Sequence, residues 1–489
     1  MTSSSDTAHS RRWLVLAILG LAQLMVVLDA TIVNIALPSA QKDLGFSDAS
    51  RQWIITAYAL AFGSLLLLGG RIGDLFGRKW VFVAGLAGFA VASALGGVAQ
   101  SFGMLVAARA LQGVFGAMLA PAALSLLTTT FTEPAERNKA FGIFGAIAGS
   151  GAAVGLLLGG VLTEYLSWRW CLYVNLAFAG VAVVGALILL TNSRPAEKPK
   201  LDIPGTITGS VGLFGLVYGF SHAAETSWAN GTTIASLVAG VVLLAAFVVL
   251  QQRVAHPLLP LRIVLDRDRG GSYLAIGLSG IAIFGVFLFL TYYLQQNLGF
   301  SPIKTGLAFL PMTFAIMFSA TTSQTKLLPK VGPRPLVGSG LVLGAIGMLY
   351  LTGISPDSSY ATHVLPALIV MGLGFGLIFA PAISSATLGV DPHDAGVASA
   401  MVNTMQQIGG SIGTALLSTL AASATTSYLQ GKGRPTPDLV ATAAVHGYTT
   451  AFYWSAAIFA VAAVVCTALL RPGVPAAERV GAGAPAMAH

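Results

Sequence analysis

Long apolar stretches separated by short polar loops run through the whole chain. A helix needs about 20 apolar residues to cross a bilayer, and fourteen stretches come close to or exceed that length. The pattern therefore predicts an all-α polytopic membrane protein with fourteen transmembrane helices. They lie at 13–37, 53–70, 80–98, 102–127, 140–162, 171–190, 203–220, 233–250, 272–294, 305–322, 335–354, 363–386, 397–421 and 447–470.

Composition excludes a soluble protein. Of the 489 residues, 55% are hydrophobic and 9% are charged, whereas soluble domains carry about 25% charged residues. The net charge of +8 does not indicate a nucleic-acid partner, because the basic residues stand in small groups between apolar stretches and not on one face. The two cysteines, Cys171 and Cys466, lie in apolar stretches without metal or redox spacing. The expected surroundings are a lipid bilayer.

The basic residues also predict orientation. Of the 26 lysines and arginines, nineteen fall on the side of the N-terminus, six fall on the opposite side, and Arg109 lies within a span. Cytoplasmic loops carry the excess of Lys and Arg, so both termini are predicted to be cytoplasmic. The chain is then a multi-pass protein of the plasma membrane or of a bacterial inner membrane.

An internal repeat predicts how the helices are grouped. Three pairs of segments recur in one order, at offsets of 256, 260 and 261 residues: those around Arg78 and Arg334, those at 116–121 and 376–381, and those at 147–150 and 408–411. This offset corresponds to eight predicted helices. The expected architecture is therefore six helices, two inserted helices and six more, with parallel halves. The predicted boundaries are a cytoplasmic tail at 1–12, a first half at 13–190, an insertion with its linker at 191–271, a second half at 272–470 and a cytoplasmic tail at 471–489.

Several segments resemble those of a known transporter family. The loop at 70–79 reads GRIGDLFGRK, which is similar to the G-x-x-x-D-x-x-G-R-K signature of the major facilitator superfamily. Residues 28–38 resemble the first-helix motif of its fourteen-helix drug–proton antiporter branch, the multidrug and antibiotic efflux type. Residues 109–113, RALQG, are similar to the fourth-helix motif of the superfamily. Residues 151–160 resemble the antiporter motif of its fifth helix.

Two charged residues within predicted spans are candidates for proton coupling. Asp29 is the acidic residue placed securely inside a span, and a carboxylate there is costly unless it faces a cavity or a partner. The alternative is a helix-end carboxylate that reaches outside water. Arg109 cannot readily lose its proton and acts as a fixed charge; the resemblance assigns it to proton coupling. The alternative is an arginine bound to backbone carbonyls.

The loop signature and the fifth-helix glycines are conformational candidates. The loop residues are Gly70, Asp74, Gly77, Arg78 and Lys79. Either its cations only enforce orientation, or Asp74 pairs with Arg78 or a neighbouring helix end as a latch on the outward-open state. The resemblance favours the latch. Four glycines share one face of the fifth helix, which indicates close packing and gating: Gly151, Gly155, Gly159 and Gly160.

Polar and aromatic residues near or within the spans are candidates for the substrate cavity. Each has an alternative role as a helix–helix hydrogen bond or an interfacial anchor. They are Asn34, Trp53, Tyr58, Gln112, Tyr292, Gln296, Asn403 and Gln407.

The function expected from this resemblance is proton-coupled export of small amphipathic or cationic compounds, such as drugs or antibiotics. An alternative is a transporter of the same fold for an endogenous metabolite or a siderophore. A membrane enzyme or receptor would need a catalytic cluster or a sizeable soluble domain, so the chain is expected not to be an enzyme. It contains no G-x-x-x-x-G-K-[ST] phosphate loop, so ATP-driven transport by this chain alone is not expected. The resemblance implies that the proton gradient drives transport, and no cofactor, metal or required oligomer is expected.

Overall fold

The structure, a computed structural model, is a succession of long helices. It describes residues 3–47, 50–131, 133–192, 202–255, 257–388, 390, 395–430, 432 and 436–474. Within these ranges, fourteen helices have 19 residues or more. They are α1 (Ser3–Leu44), α2 (Trp53–Phe76), α3 (Arg78–Gly97), α4 (Phe102–Thr130), α5 (Pro134–Tyr165), α6 (Trp170–Leu189), α7 (Ile203–Glu225), α8 (Gly231–Arg253), α9 (Arg267–Tyr292), α10 (Pro302–Thr322), α11 (Pro333–Leu351), α12 (Leu365–Thr387), α13 (Ala395–Leu429) and α14 (Pro437–Leu469).

Three of these helices join short π-helical segments that the sequence did not predict. Tyr293–Asn297 extends α9, Ser323–Leu327 extends α10, and Tyr360–Val364 leads into α12. A π segment inserts an extra residue into the hydrogen-bond ladder. Apolar periodicity does not reveal such a local change, because one inserted residue is less than a full helical turn.

The number of apolar spans differs from the sequence prediction. Among the described residues, twelve helices are long and apolar enough to cross a membrane. The second and fifth predicted spans fall on α2 and α5, whose described apolar stretches are only Trp53–Leu66 and Ala153–Tyr165. In both helices the apolar sequence continues into residues whose side chains lie outside the described part of the chain. Twelve apolar spans are therefore found among the described residues, and the predicted number of fourteen stays a prediction.

The chain divides into two compact units. The first comprises Met1–Tyr218, Ser236–Leu258 and Phe300–Leu307. Within it, α1 packs against α4, α5 and α6, while α3 packs against α4 and α6, and α2 against α4. The centre of this unit thus lies where α1, α3, α4 and α6 meet.

The second unit comprises Gly219–Ala235, Leu259–Gly299 and Ala308–His489. Within it, α9 packs against α12, α13 and α14, while α11 packs against α12 and α14. Adding eight to the helix numbers in the contacts of α1 and α3 gives these same pairs. The contacts of α1 and α3 therefore recur as those of α9 and α11.

Glycines bring the paired helices close together. A side chain on Gly155 of α5 would meet Thr31 of α1, and one on Gly409 of α13 would meet the backbone of Gly277 in α9. Small residues at such contacts let helix backbones approach each other in a membrane. The close approach of α5 to α1 thus has a counterpart in α13 and α9.

Helices α7 and α8, which the sequence predicts as an insertion, are the least enclosed of the twelve apolar spans found among the described residues. Only 22% of the apolar window of α7 and 17% of that of α8 are buried, against 72% for α9. Exposed valines on α8, such as Val238, Val241 and Val242, suit contact with lipid tails. These helices therefore present most of their apolar surface outwards.

Candidate functional site

A buried ion pair joins α1 to α4. Nη1 of Arg109 lies 2.6 Å from Oδ2 of Asp29. The Asp29 side chain is 0% exposed and that of Arg109 is 2% exposed. A buried charge is stable only where a partner offsets its lost hydration. The two charged residues that the sequence singled out are thus in direct contact.

Two amide side chains complete the coordination of Asp29. Nε2 of Gln112 donates to Oδ1 at 2.9 Å, and Nδ2 of Asn175 on α6 donates to the same oxygen at 2.7 Å. Oε1 of Gln112 accepts from Nη1 of Arg109 at 2.8 Å. Since an ionised carboxylate only accepts hydrogen bonds, this arrangement satisfies the charged form of Asp29.

Arg109 is also held from α2. Its Nε atom donates to the backbone oxygen of Ile54 at 3.1 Å. Its guanidinium carbon lies 4.5 Å from the ring centre of Tyr58, within range of a cation–π interaction. Arg109 therefore contacts both a carboxylate and a backbone carbonyl, which the sequence had offered as alternatives. Gln112 and Tyr58, predicted as cavity residues, belong to this cluster.

Ser93 on α3 contacts both amide side chains. Its Oγ atom accepts from Gln112 at 2.7 Å and from Asn175 at 3.2 Å. Sequence reasoning missed Ser93 and Asn175. Asn175 is the one amide side chain in the apolar sequence of α6, which is a signal that could have found it. Ser93 carried no such signal, because serine is frequent in membrane helices.

A small cavity reaches Arg109. It has a volume of about 10 Å³ and is walled largely by apolar side chains of α1, α4 and α6, including Val33, Leu105 and Leu172. This is close to the least space that one water molecule needs. The ion pair is therefore almost fully enclosed in this conformation.

The predicted latch loop forms a tight turn between α2 and α3. Gly77 has φ = 97°, a conformation that favours glycine, and a side chain there would meet the amide of Asn192. Nζ of Lys79 donates to the backbone oxygen of Leu187 in the last turn of α6 at 2.9 Å. The side chain of Asp74 lies outside the described residues, so its predicted pairing with Arg78 stays a prediction. A side chain on Gly70 would make ordinary van der Waals contact with Pro121 of α4.

The fifth-helix glycines divide between two neighbours. Side chains on Gly151, Gly155 and Gly159 would meet Val27, Thr31 and Ile32 of α1 respectively, whereas one on Gly160 would meet the backbone at Ile303. Three of the four therefore form the close contact with the helix that carries Asp29.

The remaining cavity candidates differ in exposure. Asn34 and Tyr292 are buried, Trp53 and Gln407 are partly buried, and Gln296 and Asn403 are exposed. Asn34 and Asn403 each donate to a backbone oxygen four residues earlier, Ala30 and Ser399. Trp53 packs on the ring of Tyr218 with centres 5.9 Å apart. The two asparagine bonds are local, whereas Trp53 links α2 to α7. Among the described residues of either unit, these candidates do not line one common cavity.

Comparison with known proteins identifies the family. The model of the Major Facilitator Superfamily matches residues 19–414. The chain belongs to the major facilitator superfamily. It is therefore a membrane transporter and not an enzyme.

Its relatives include proteins named for antibiotic resistance and export. The chain is 51% identical over 473 residues to the puromycin resistance protein pur8 of Streptomyces alboniger, covering 96% of this chain and 94% of the relative. It is 40% identical over 427 residues to the cephamycin export protein CmcT of Amycolatopsis lactamdurans, covering 87% of each. It is 32% identical over 419 residues to the multidrug efflux pump LfrA of Mycolicibacterium smegmatis, covering 86% and 82%.

Solved structures share the fold at low sequence identity. The POT family transporter PepTSo aligns with a TM-score of 0.69 and 16% identity, covering 96% of this chain and 98% of that one. A bacterial homologue of the human lysosomal transporter Spinster, in an inward-facing and unoccupied conformation, aligns with a TM-score of 0.65 and 16% identity, covering 94% and 98%. The chain therefore has the all-helical fold of these transporters.

Proposed function

We propose that this transporter is a proton-coupled exporter of small amphipathic or cationic compounds, drugs or antibiotics, that works by alternating access. The observation that carries the coupling is the buried contact between Asp29 and Arg109. The relatives named for puromycin, cephamycin and multidrug export support the substrate class.

The chemistry of the ion pair explains how one proton could be coupled to movement. An ionised Asp29 holds Arg109 and two amides at once. A proton on Asp29 removes the charge that offsets the guanidinium, so Arg109 must find other partners or water. A cationic substrate that binds the carboxylate also displaces Arg109, which must then find other partners or water. Proton and substrate then compete for one negative charge, which is the requirement for exchange.

The loop and the glycines serve the conformational change in this proposal. Gly70, Asp74, Gly77, Arg78 and Lys79 form the latch of the outward-open state, and the grip of Lys79 on the end of α6 supports it. The glycine face of α5 is the sliding contact with α1. The proton gradient supplies the energy, without a cofactor.

We further propose fourteen membrane spans arranged as six, two and six, with parallel halves and both termini cytoplasmic. The recurrence of the α1 and α3 contacts as those of α9 and α11 supports the parallel halves. The low burial of α7 and α8 supports their role as an insertion. The charge asymmetry of the loops supports the orientation.

An efflux assay in reconstituted vesicles tests the function. Wild-type protein should move ethidium against its gradient when a pH difference is imposed, and a protonophore should stop it. Asp29→Asn should abolish the proton-driven movement, while Asp438→Asn, a change at an exposed carboxylate at the start of α14, should keep it. Proton-driven efflux by Asp29→Asn at the wild-type rate would refute the proposal. Transport confined to a metabolite or siderophore would favour the alternative substrate class.

A further inference from the structure

Asn175 has an unused acceptor beside the proton-binding carboxylate. Its side chain is 0% exposed. Nδ2 donates to Asp29 and Ser93, yet within the described structure the amide oxygen Oδ1 is buried and accepts no hydrogen bond. A buried acceptor without a partner is costly, so its presence next to Asp29 calls for a physical reason.

An amide can serve both protonation states of a carboxyl group. It donates through its NH₂ group to the ionised form and accepts through its carbonyl from the O–H of the neutral form. A rotation of the Asn175 amide exchanges the two roles. Ser93 allows this exchange, because its hydroxyl group can either accept from Nδ2 or donate to Oδ1.

Gln112 cannot make the same exchange. Its Oε1 atom accepts from Arg109 at 2.8 Å, and reversing the amide would turn its NH₂ group towards the guanidinium. Gln112 is therefore a fixed donor to Asp29, whereas both partners of Asn175 can reverse with it.

We infer that Asn175 is a positioning residue whose amide reverses with the protonation state of Asp29. The inference rests on the proposed function, since it requires that Asp29 takes up a proton. In the charged state Asn175 donates to Oδ1 of Asp29. In the neutral state its amide oxygen accepts a hydrogen bond from the O–H of Asp29, so the carboxyl group stays hydrogen-bonded to α6 while Arg109 is released.

None of the charged or titratable groups named below is a substitute for Asn175 as the acceptor of a hydrogen bond from neutral Asp29. Arg109 comes from α4 and stays charged. Tyr58 comes from α2 and lies against the guanidinium. Cys171 comes from α6, where its thiol contacts Thr163 and the backbone oxygen of Gly159. The α5 helix packs on α1 through glycines, and α3 contributes Ser93, which does not titrate.

Infrared difference spectroscopy between two pH values tests the inference without any substrate. The full-length protein is prepared with asparagine labelled with ¹³C at the side-chain carbonyl. The C=O band of a protonated carboxyl group that is lost in Asp29→Asn reports Asp29. The inference predicts that one asparagine C=O band shifts together with it, and that this shift is absent in Asp29→Asn. A carboxyl band that titrates with no change in the asparagine band overturns the inference, as does the absence of an Asp29 carboxyl band.

The midpoint of the titration separates a reversing amide from a fixed one. Loss of a fixed donor destabilises the ionised form alone and moves the midpoint up by about one pH unit or more. Gln112→Leu should show this rise. Asn175→Leu removes a group that stabilises both forms, so its midpoint should move by less than about half a pH unit. A rise of one unit or more in Asn175→Leu overturns the inference.

A second variant at position 175 and the vesicle assay serve as controls for this test. Asn175→Ser retains a hydroxyl group that can donate and accept, so it should keep the midpoint and replaces Asn175→Leu if that variant does not fold. The vesicle assay with ethidium distinguishes the two failures. Proton-driven efflux by Asp29→Asn defeats the proposed function, whereas a titrating Asp29 with a silent asparagine band defeats only the role of Asn175.

Discussion

The Nζ atom of Lys79 donates to the backbone carbonyl of Leu187, which ties the start of α3 to the last turn of α6. The last carbonyls of a helix have no partner within it and attract cations. The side chain of Asn192, just beyond α6, lies next to Gly77 at the same turn. The loop is thus hydrogen-bonded to the end of a neighbouring helix. A loop whose basic residues only set the membrane orientation would not need this contact.

Loss of the Lys79 ammonium group should weaken this contact. Lys79→Met removes the hydrogen bond to Leu187, and we expect a loss of stability of about 0.5–1.5 kcal/mol together with slower ethidium efflux. Thermal unfolding in detergent and the vesicle assay measure the two effects. Lys326→Met removes an exposed lysine from the same predicted side of the membrane. Equal effects in the two variants would mean that only the number of basic residues matters.

Gly77 combines a left-handed backbone with a close neighbour, and these two effects can be separated. Gly299 also has positive φ, 65°, but a side chain there meets nothing within 4 Å. We expect Gly299→Ala to cost about 1–2 kcal/mol from backbone strain alone, and Gly77→Ala to cost more. Asn192→Ala should restore part of the stability of Gly77→Ala, as seen in the thermal midpoint. No restoration would place the whole cost in the backbone.

The contact of Gly155 with α1 should tolerate no side chain. Gly155→Ala places a methyl group against Thr31 and the backbone oxygen of Leu28, and overpacking of this kind costs about 1–3 kcal/mol. Gly180→Ala on α6 is the matched control, because that position has open space around it. Thermal unfolding should separate the two variants clearly. Equal stability would show that α5 has room to move away from α1.

Lysine should not replace arginine at position 109. A lysine can form neither the hydrogen bond to Ile54 in the present geometry nor the planar contact with Tyr58 while it reaches Asp29. We expect Arg109→Lys to lose proton-driven efflux and about 1–3 kcal/mol of stability, because the buried carbonyl of Ile54 loses its charged donor. Arg253→Lys, at the exposed end of α8, should change neither. Retained efflux in Arg109→Lys would mean that any cation suffices.

Single cysteines test the orientation. Ser227 and Asp357 are exposed, whereas the native Cys171 and Cys466 are buried. After both native cysteines are replaced, Ser227→Cys and Asp357→Cys should each react with a membrane-impermeant thiol reagent added outside intact cells. Reaction only after the cytoplasmic side is opened would reverse the predicted topology.

The charged residues of the site, which lie within apolar segments, could be predicted from the sequence. Asp29 and Arg109 stand out because ionised groups are rare within membrane helices, and Gln112 follows Arg109 by one helical turn. Their mutual contact required the packing of α1 on α4, which no local pattern contains. Asn175 acquires its importance only because α6 packs against α1.

The fold was predictable where repetition made the signal strong. The similarity of 116–121 to 376–381 predicted related environments, and both segments lie in helices with an internal proline, Pro121 in α4 and Pro381 in α12. The fourteen predicted spans fall on the fourteen long helices, and twelve of these are long and apolar enough to cross a membrane among the described residues. The π segments left no trace in the hydrophobic pattern.

The buried carboxylates of the described chain are Asp29 and Asp202. Asp202, which precedes α7, accepts hydrogen bonds from the backbone N–H of Gly205 and from Gln251 near the end of α8. Under the proposed function Asp29 is the proton site, and a single carboxylate accepts one proton in each cycle. Exchange of a monovalent cation for that proton moves no net charge across the membrane. Export of such a compound would then follow the pH difference and ignore the membrane voltage, whereas export of a neutral compound by the same protein would be electrogenic.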